Sequence, residues 1–112
     1  MPIKTIKTLF YHFSQNNSGG YFVTDEDNGV GEDMIIEATS PTNAWDRLRE
    51  IGDKVDGFWD YCDCCGERWY YHADKGTETP TIYGQPANEH ETYRKDGKKY
   101  IHYLDNSFEE AG

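Results

Sequence analysis

Three cysteines stand close together just before an arginine and a tryptophan. Cys62 and Cys65 have the two-residue gap of zinc-binding turns, and Cys64 is a third candidate ligand. A closed tetrahedral site needs four ligands, and the sequence has no second Cys-x-x-Cys or His-x-x-x-His pair to complete it. We therefore interpret the cysteines as small side chains packed in a tight turn that positions Arg68 and Trp69. Structural zinc and a redox-active thiol beside Arg68 are the alternatives, and no other cofactor is expected.

A second chemical signal is the run Gln-Asn-Asn-Ser-Gly-Gly at residues 15–20. Its amides and hydroxyl can donate hydrogen bonds, and its glycines let backbone N–H groups turn toward a bound anion. The run is longer than a two-residue hairpin turn requires, which favours a binding loop over an Asn-capped turn. Arg68 would supply a forked cation for phosphate, and Trp69 a stacking face for a base. The predicted ligand-binding residues are Gln15, Asn16, Asn17, Ser18, Arg68 and Trp69.

Arg68 and Trp69 each have an interpretation that involves no ligand. Arg68 could pair with one of the many neighbouring carboxylates, since the chain has 21 acidic residues. Trp69 is better explained as a core residue than as a ligand platform.

Two charged segments of the sequence could also take part in binding. Residues 25–33 carry five carboxylates, but the ligand spacing of a calcium loop begins there without being completed, so we expect a solvated surface or one that imitates a phosphate backbone. Residues 94–99 form the only basic cluster. We interpret that cluster as a hairpin turn with solvated charges, which in an anion receptor could close over the ligand from the far side.

Composition and missing motifs exclude several classes of protein. The net charge of −10 opposes binding to duplex nucleic acid, because phosphate affinity depends on lysine and arginine. The apolar runs fall far short of the roughly 20 residues that cross a bilayer, and three clustered cysteines fit a reducing compartment. These two features predict a cytosolic protein. No serine elbow, P-loop, His-Glu-x-x-His or dinucleotide fingerprint occurs, so we also expect a non-enzymatic one.

Local patterns predict the elements that position these residues. Apolar alternation predicts strands at residues 8–14, 21–24 and 34–38, and further short strands at 69–73, 79–83 and 99–104. Ser40 as N-cap before Pro41 predicts an amphipathic helix that ends at Ile51. We expect a single α+β domain over residues 1–112, a small antiparallel sheet with one helix packed on it. Residues 8–69 would form its main unit, 70–105 would extend it, and 106–112 would be a frayed tail.

Several of these motifs together resemble a family of small uncharacterised proteins widespread in tailed bacteriophage genomes. The resemblance rests on residues 13–22, on Ile36-Glu37-Ala38 before a short helix, and on Cys-Asp-Cys-Cys-Gly-Glu-Arg-Trp at 62–69. It spans residues 8–69 and implies phage origin and a location in the host cytoplasm. It brings no established activity with it.

Two functions from different classes follow as hypotheses. The first is a phage-encoded protein that counters host defence by sequestering a small anionic host molecule, such as a nucleotide immune signal, without turnover. The second is an acidic protein that inhibits a host nucleic-acid-binding enzyme by imitating DNA. A second copy of the chain could add burial to a thin core, so a homodimer is a further expectation.

Overall fold

The computed structural model describes residues 7–15, 23–55, 58, 69–71 (backbone only at 70 and 71), 76–82, 85–89 and 97–111. Its elements are β1 Leu9–Gln15, β2 Asp33–Ala38, α1 Pro41–Gly52, β3 Trp69–Tyr71, β4 Thr81–Ile82, β5 Gln85–Pro86, β6 Lys99–His102 and β7 Phe108–Glu110, with a short 3-10 turn at Glu26–Asn28. The α+β prediction is confirmed, with one helix among seven described strands.

The five-stranded sheet has the order β3-β1-β2-β6-β7. β1 pairs with β2 antiparallel from Leu9 opposite Ala38 to Ser14 opposite Asp33. β6 then pairs with β2 in parallel, and the other pairs in the sheet are antiparallel. The sheet is therefore mixed, which local alternation does not reveal because direction is decided by the crossover between β2 and β6.

One face of the sheet is covered by α1, as the sequence predicts. The helix begins where Ser40 Oγ accepts a hydrogen bond from the backbone N–H of Asn43 at 3.1 Å, with Pro41 in the first turn. Ala44, Leu48 and Ile51 recur at helical spacing and are buried against the apolar side chains of β1 and β2.

The last residue of α1, Gly52, lies against the ring of Phe58. A Cβ at Gly52 would overlap Cδ1 of that ring, so only glycine lets the ring pack there.

The other face of the sheet holds a smaller apolar cluster. Ile35 and Ile101 project from β2 and β6 and contact Ile82, Ala87 and Ala111. β4 and β5 pair in a separate two-stranded antiparallel sheet that contributes to this cover. The large sheet thus lies between the helix and the segment that contains β4 and β5.

Two local predictions do not hold. Val23 and Thr24, the described part of the strand expected at 21–24, lie outside any strand, because β1 takes β2 as its antiparallel partner. Residues 108–110, which the sequence predicts to be part of a frayed tail, form strand β7. They do so because the Phe108 ring packs on His102 with ring centroids 5.1 Å apart. The backbone N–H of Ala111 also donates to Lys99 O at 2.8 Å.

No helix in the described ranges is both long and apolar enough to span a membrane.

Candidate functional site

Gln15, the first residue of the amide-rich run, is buried and has its side chain occupied by backbone groups. Its Nε2 donates to Val23 O at 2.6 Å and to Gly31 O at 2.7 Å, and its Oε1 accepts from Val23 N at 2.8 Å. Both amide hydrogens are therefore used. Gln15 holds the two ends of the intervening loop together and has no N–H left to offer a ligand.

The side chain of Trp69 is likewise occupied by contacts within the fold. Its indole Nε1 donates to Phe58 O at 2.9 Å, and its ring stacks on Phe58 with centroids 4.7 Å apart. Only 3% of the residue is exposed, so no room remains for a stacked base. The interpretation of Trp69 as a core residue is the one that fits this geometry.

The remaining predicted ligand-binding residues, Asn16, Asn17, Ser18 and Arg68, lie outside the described residues, as do the candidate metal ligands Cys62, Cys64 and Cys65. Within the described ranges, no group of three or more His, Cys, Asp or Glu side chains is arranged to hold a metal ion. Structural zinc at the cysteines therefore stays a prediction.

The strand register bears on how the two predicted stretches relate. Gln15 lies directly opposite Trp69 in the β1–β3 pair. Position 16 follows Gln15 and position 68 precedes Trp69. The chain therefore leaves β1 and enters β3 at the same end of the sheet.

A row of buried polar residues crosses the sheet at this end, which we call the polar row: Ser14, Asp33 and Lys99. Ser14 lies opposite Asp33 in β1–β2, and Asp33 lies opposite Lys99 in β2–β6. All three are buried. Lys99 is the last residue of the basic cluster. That cluster therefore leads into the sheet at the same end at which the amide-rich run leaves it.

The carboxylate of Asp33 also contacts His12, at 2.7 Å between Oδ1 and Nε2. Each side chain is only 6% exposed. A carboxylate beside an imidazole can orient a general base, but both side chains of this pair are almost fully enclosed. It crosslinks β1 to β2.

The sequence did not reveal this pair. His12 and Asp33 are 21 residues apart and diagonal in register, so no motif joins them. The available signal was alternation, which places His12 and Ser14 on the strand face opposite Tyr11 and Phe13.

The two lysines that end the basic cluster are differently engaged. Lys99 Nζ is buried and donates to Ala87 O at 2.7 Å. Lys98 is more exposed and pairs with Glu26 and Glu110, each at 3.2 Å, and these hydrogen bonds to carboxylates raise its pKa. Lys98 is thus already neutralised locally, while Lys99 adds a buried cation to the polar row.

The fold and the polar end of its sheet define a small α+β domain. The chain belongs to the family described as Domain of unknown function (DUF7296), which matches residues 8–112. The match continues through the strands that follow Trp69. No curated protein and no solved structure matches the chain.

Proposed function

We propose that this chain is a phage-encoded, non-enzymatic protein that binds a small anionic host molecule, such as a nucleotide immune signal, and so counters host defence in the host cytoplasm. It acts by stoichiometric capture. Capture is useful only if it holds the free signal below its receptor's threshold, which for a nanomolar Kd corresponds to about −12 kcal/mol of binding free energy.

The observation that carries the proposal is the register of β1, β3, β2 and β6. Gln15 of β1 lies opposite Trp69 of β3, and Ser14, Asp33 and Lys99 follow one another across β1, β2 and β6. Three stretches that the sequence singled out for anion binding therefore start or finish at one end of one sheet. Loops at a common sheet end are where binding residues converge in many folds.

Within this proposal the predicted residues have different roles. Gln15 and Trp69 serve as positioning residues, because their polar groups are spent on backbone partners. Contact with the ligand falls to Asn16, Asn17, Ser18 and Arg68. A guanidinium is suited to a phosphate because it can donate two parallel hydrogen bonds.

A thermal-shift screen with cyclic and linear nucleotides tests the proposal. A ligand at 100 times its Kd stabilises the folded state by about 2.7 kcal/mol, which for a domain of this size raises Tm by on the order of 10 °C. No shift across the panel would remove the nucleotide hypothesis. Capture of a host nuclease or polymerase by the same protein would then favour the acidic inhibitor instead.

For a nucleotide that does bind, Arg68→Ala is the first variant to measure. We expect it to weaken binding by roughly 1.5 to 3 kcal/mol, because a charge-assisted hydrogen bond to phosphate is lost. Arg49→Ala is the matched control, since Arg49 is an exposed arginine on α1. Isothermal titration of both variants gives the comparison, and equal affinities in folded protein would exclude Arg68 from the site.

A further inference from the structure

A separate cleft lies at the opposite end of β2, between α1 and the turn that follows β6. Its volume is about 320 Å³, which is in the range of small binding sites. Its walls include Glu37, Asp46, Arg47, Glu50, Tyr103 and Leu104. None of these residues belongs to the polar row, so the cleft is independent of the proposed anion site.

One wall of the cleft is fixed by hydrogen bonds within the fold. Glu37 accepts from Thr8 Oγ1 at 2.6 Å and from the backbone N–H of Leu104 at 3.0 Å. Tyr103 donates its hydroxyl to Glu109 at 2.6 Å, and this bond raises the pKa of the phenol to about 12. The turn that carries Tyr103 and Leu104 is therefore held in place before any partner arrives.

The other wall, formed by α1, has polar groups that lack hydrogen-bond partners among the described residues. Arg47 donates from Nη1 to Glu50 at 3.2 Å, and among the described residues its guanidinium makes no other hydrogen bond. The carboxylate of Asp46, one position earlier on α1, has no partner in the described part of the chain. This wall thus offers N–H donors beside carboxylate acceptors.

An apolar side chain stands at the rim of the cleft. Leu104 is 54% exposed, the most exposed large hydrophobic residue in the described ranges. Covering it would add favourable apolar burial to any contact made inside the cleft.

We propose that this cleft docks an extended basic segment of a partner protein. The carboxylates of Glu37, Asp46 and Glu50 outnumber the single guanidinium, so the cleft attracts a lysine or arginine side chain. Arg47 donates to a main-chain carbonyl of the segment, and an apolar side chain two residues along the segment covers Leu104. Side chains two apart on an extended chain share one face and lie about 7 Å from each other, so one segment can present both groups to the cleft.

The exposure of the cleft favours a peptide over a small organic cation. Glu50 has 67% of its side chain accessible and Leu104 is half open, so the walls do not enclose a ligand. A cationic side chain, a carbonyl and an apolar side chain occur together on a polypeptide and not on a small organic cation.

The experiment uses the full chain and a fluorescent peptide, Gly-Lys-Ser-Leu-Ser-Lys-Gly, in a low-salt polarisation assay. We expect saturable binding that Asp46→Asn weakens roughly 3- to 10-fold by removing an unpaired charge. Asp27→Asn is the matched control, because Asp27 is exposed and lies on the 3-10 turn outside the cleft. We expect this control to bind within twofold of the parent protein.

Two further arms decide between the proposal and simple charge attraction. Leu104→Ser should weaken binding, and replacing the peptide's leucine by serine should have the same effect. Amide NMR shifts should centre on residues 43–50 and 103–104. Equal losses in Asp46→Asn and Asp27→Asn, no saturable binding, shifts elsewhere, or equal competition by free lysine or spermidine would overturn the proposal.

Discussion

The surroundings of His102 determine its tautomer and its pKa. Its Nε2 lies 2.7 Å from the carbonyl of Gly29, which can only accept, so Nε2 carries the proton. Its Nδ1 is buried and has no hydrogen-bond partner among the described residues. Burial lowers the pKa of His102 to about 4, and the positive charge of Arg47 acts in the same direction.

This depressed pKa predicts a pH dependence of stability. Between pH 6.5 and 4 the unfolded chain binds a proton at His102 that the folded protein does not, so this contribution is present above pH 6.5 and is lost as the pH falls toward 4. The loss is at most about 3 kcal/mol. Urea unfolding of the parent protein and His102→Phe across this range should give a stability difference that shrinks or reverses on acidification. A difference independent of pH would show that His102 titrates normally.

At the scale of elements, the segment after β1 depends on one clamp. Gln15 bonds Val23 and Gly31, so it fixes both the end of the loop and the chain that leads into β2. Replacing it with an apolar residue leaves two carbonyls and one N–H without these partners.

We therefore expect Gln15→Leu to lower the free energy of unfolding by roughly 2 to 4 kcal/mol, measured by urea denaturation. Gln85→Leu is the control, because Gln85 is exposed in β5, and it should change stability by less than about 0.5 kcal/mol. Similar losses in the two variants would contradict the clamp.

Elements with a local signal were predictable. Ser40-Pro41 gave the start of α1, and alternation gave β1 and β2 to within a residue or two. β7 was missed because Phe-Glu-Glu has no apolar alternation, and its strand depends on packing against His102 and on pairing with β6.

The same distinction applies to the candidate site. The types of Gln15 and Trp69 suggested ligand contacts. Their side chains instead bond backbone groups of Val23, Gly31 and Phe58, and these partners are brought near by tertiary contact. The polar row could not be predicted, because Ser14, Asp33 and Lys99 meet only through two registers, one of them parallel.

For the whole molecule, the dominant electrostatic fact is the net charge of −10. Mutual repulsion of unscreened carboxylates destabilises the compact state, and salt shortens its range from about 30 Å at 0.01 M to about 8 Å at 0.15 M. We expect the free energy of unfolding to rise by about 1 kcal/mol over that range of sodium chloride. Asp27→Asn should reduce the slope. A fall in stability with salt would mean that ion pairs such as those of Lys98 outweigh the repulsion.

The parallel pairing of β2 with β6 has a consequence for synthesis on the ribosome. Translation delivers β1, β2 and α1 early, but the strand that covers the second edge of β2 is encoded some 60 residues later. A nascent chain that has passed the helix therefore carries an open, apolar strand edge of the kind that recruits other strands. The neighbour that covers this edge is complete only once residues 99–102 have been translated.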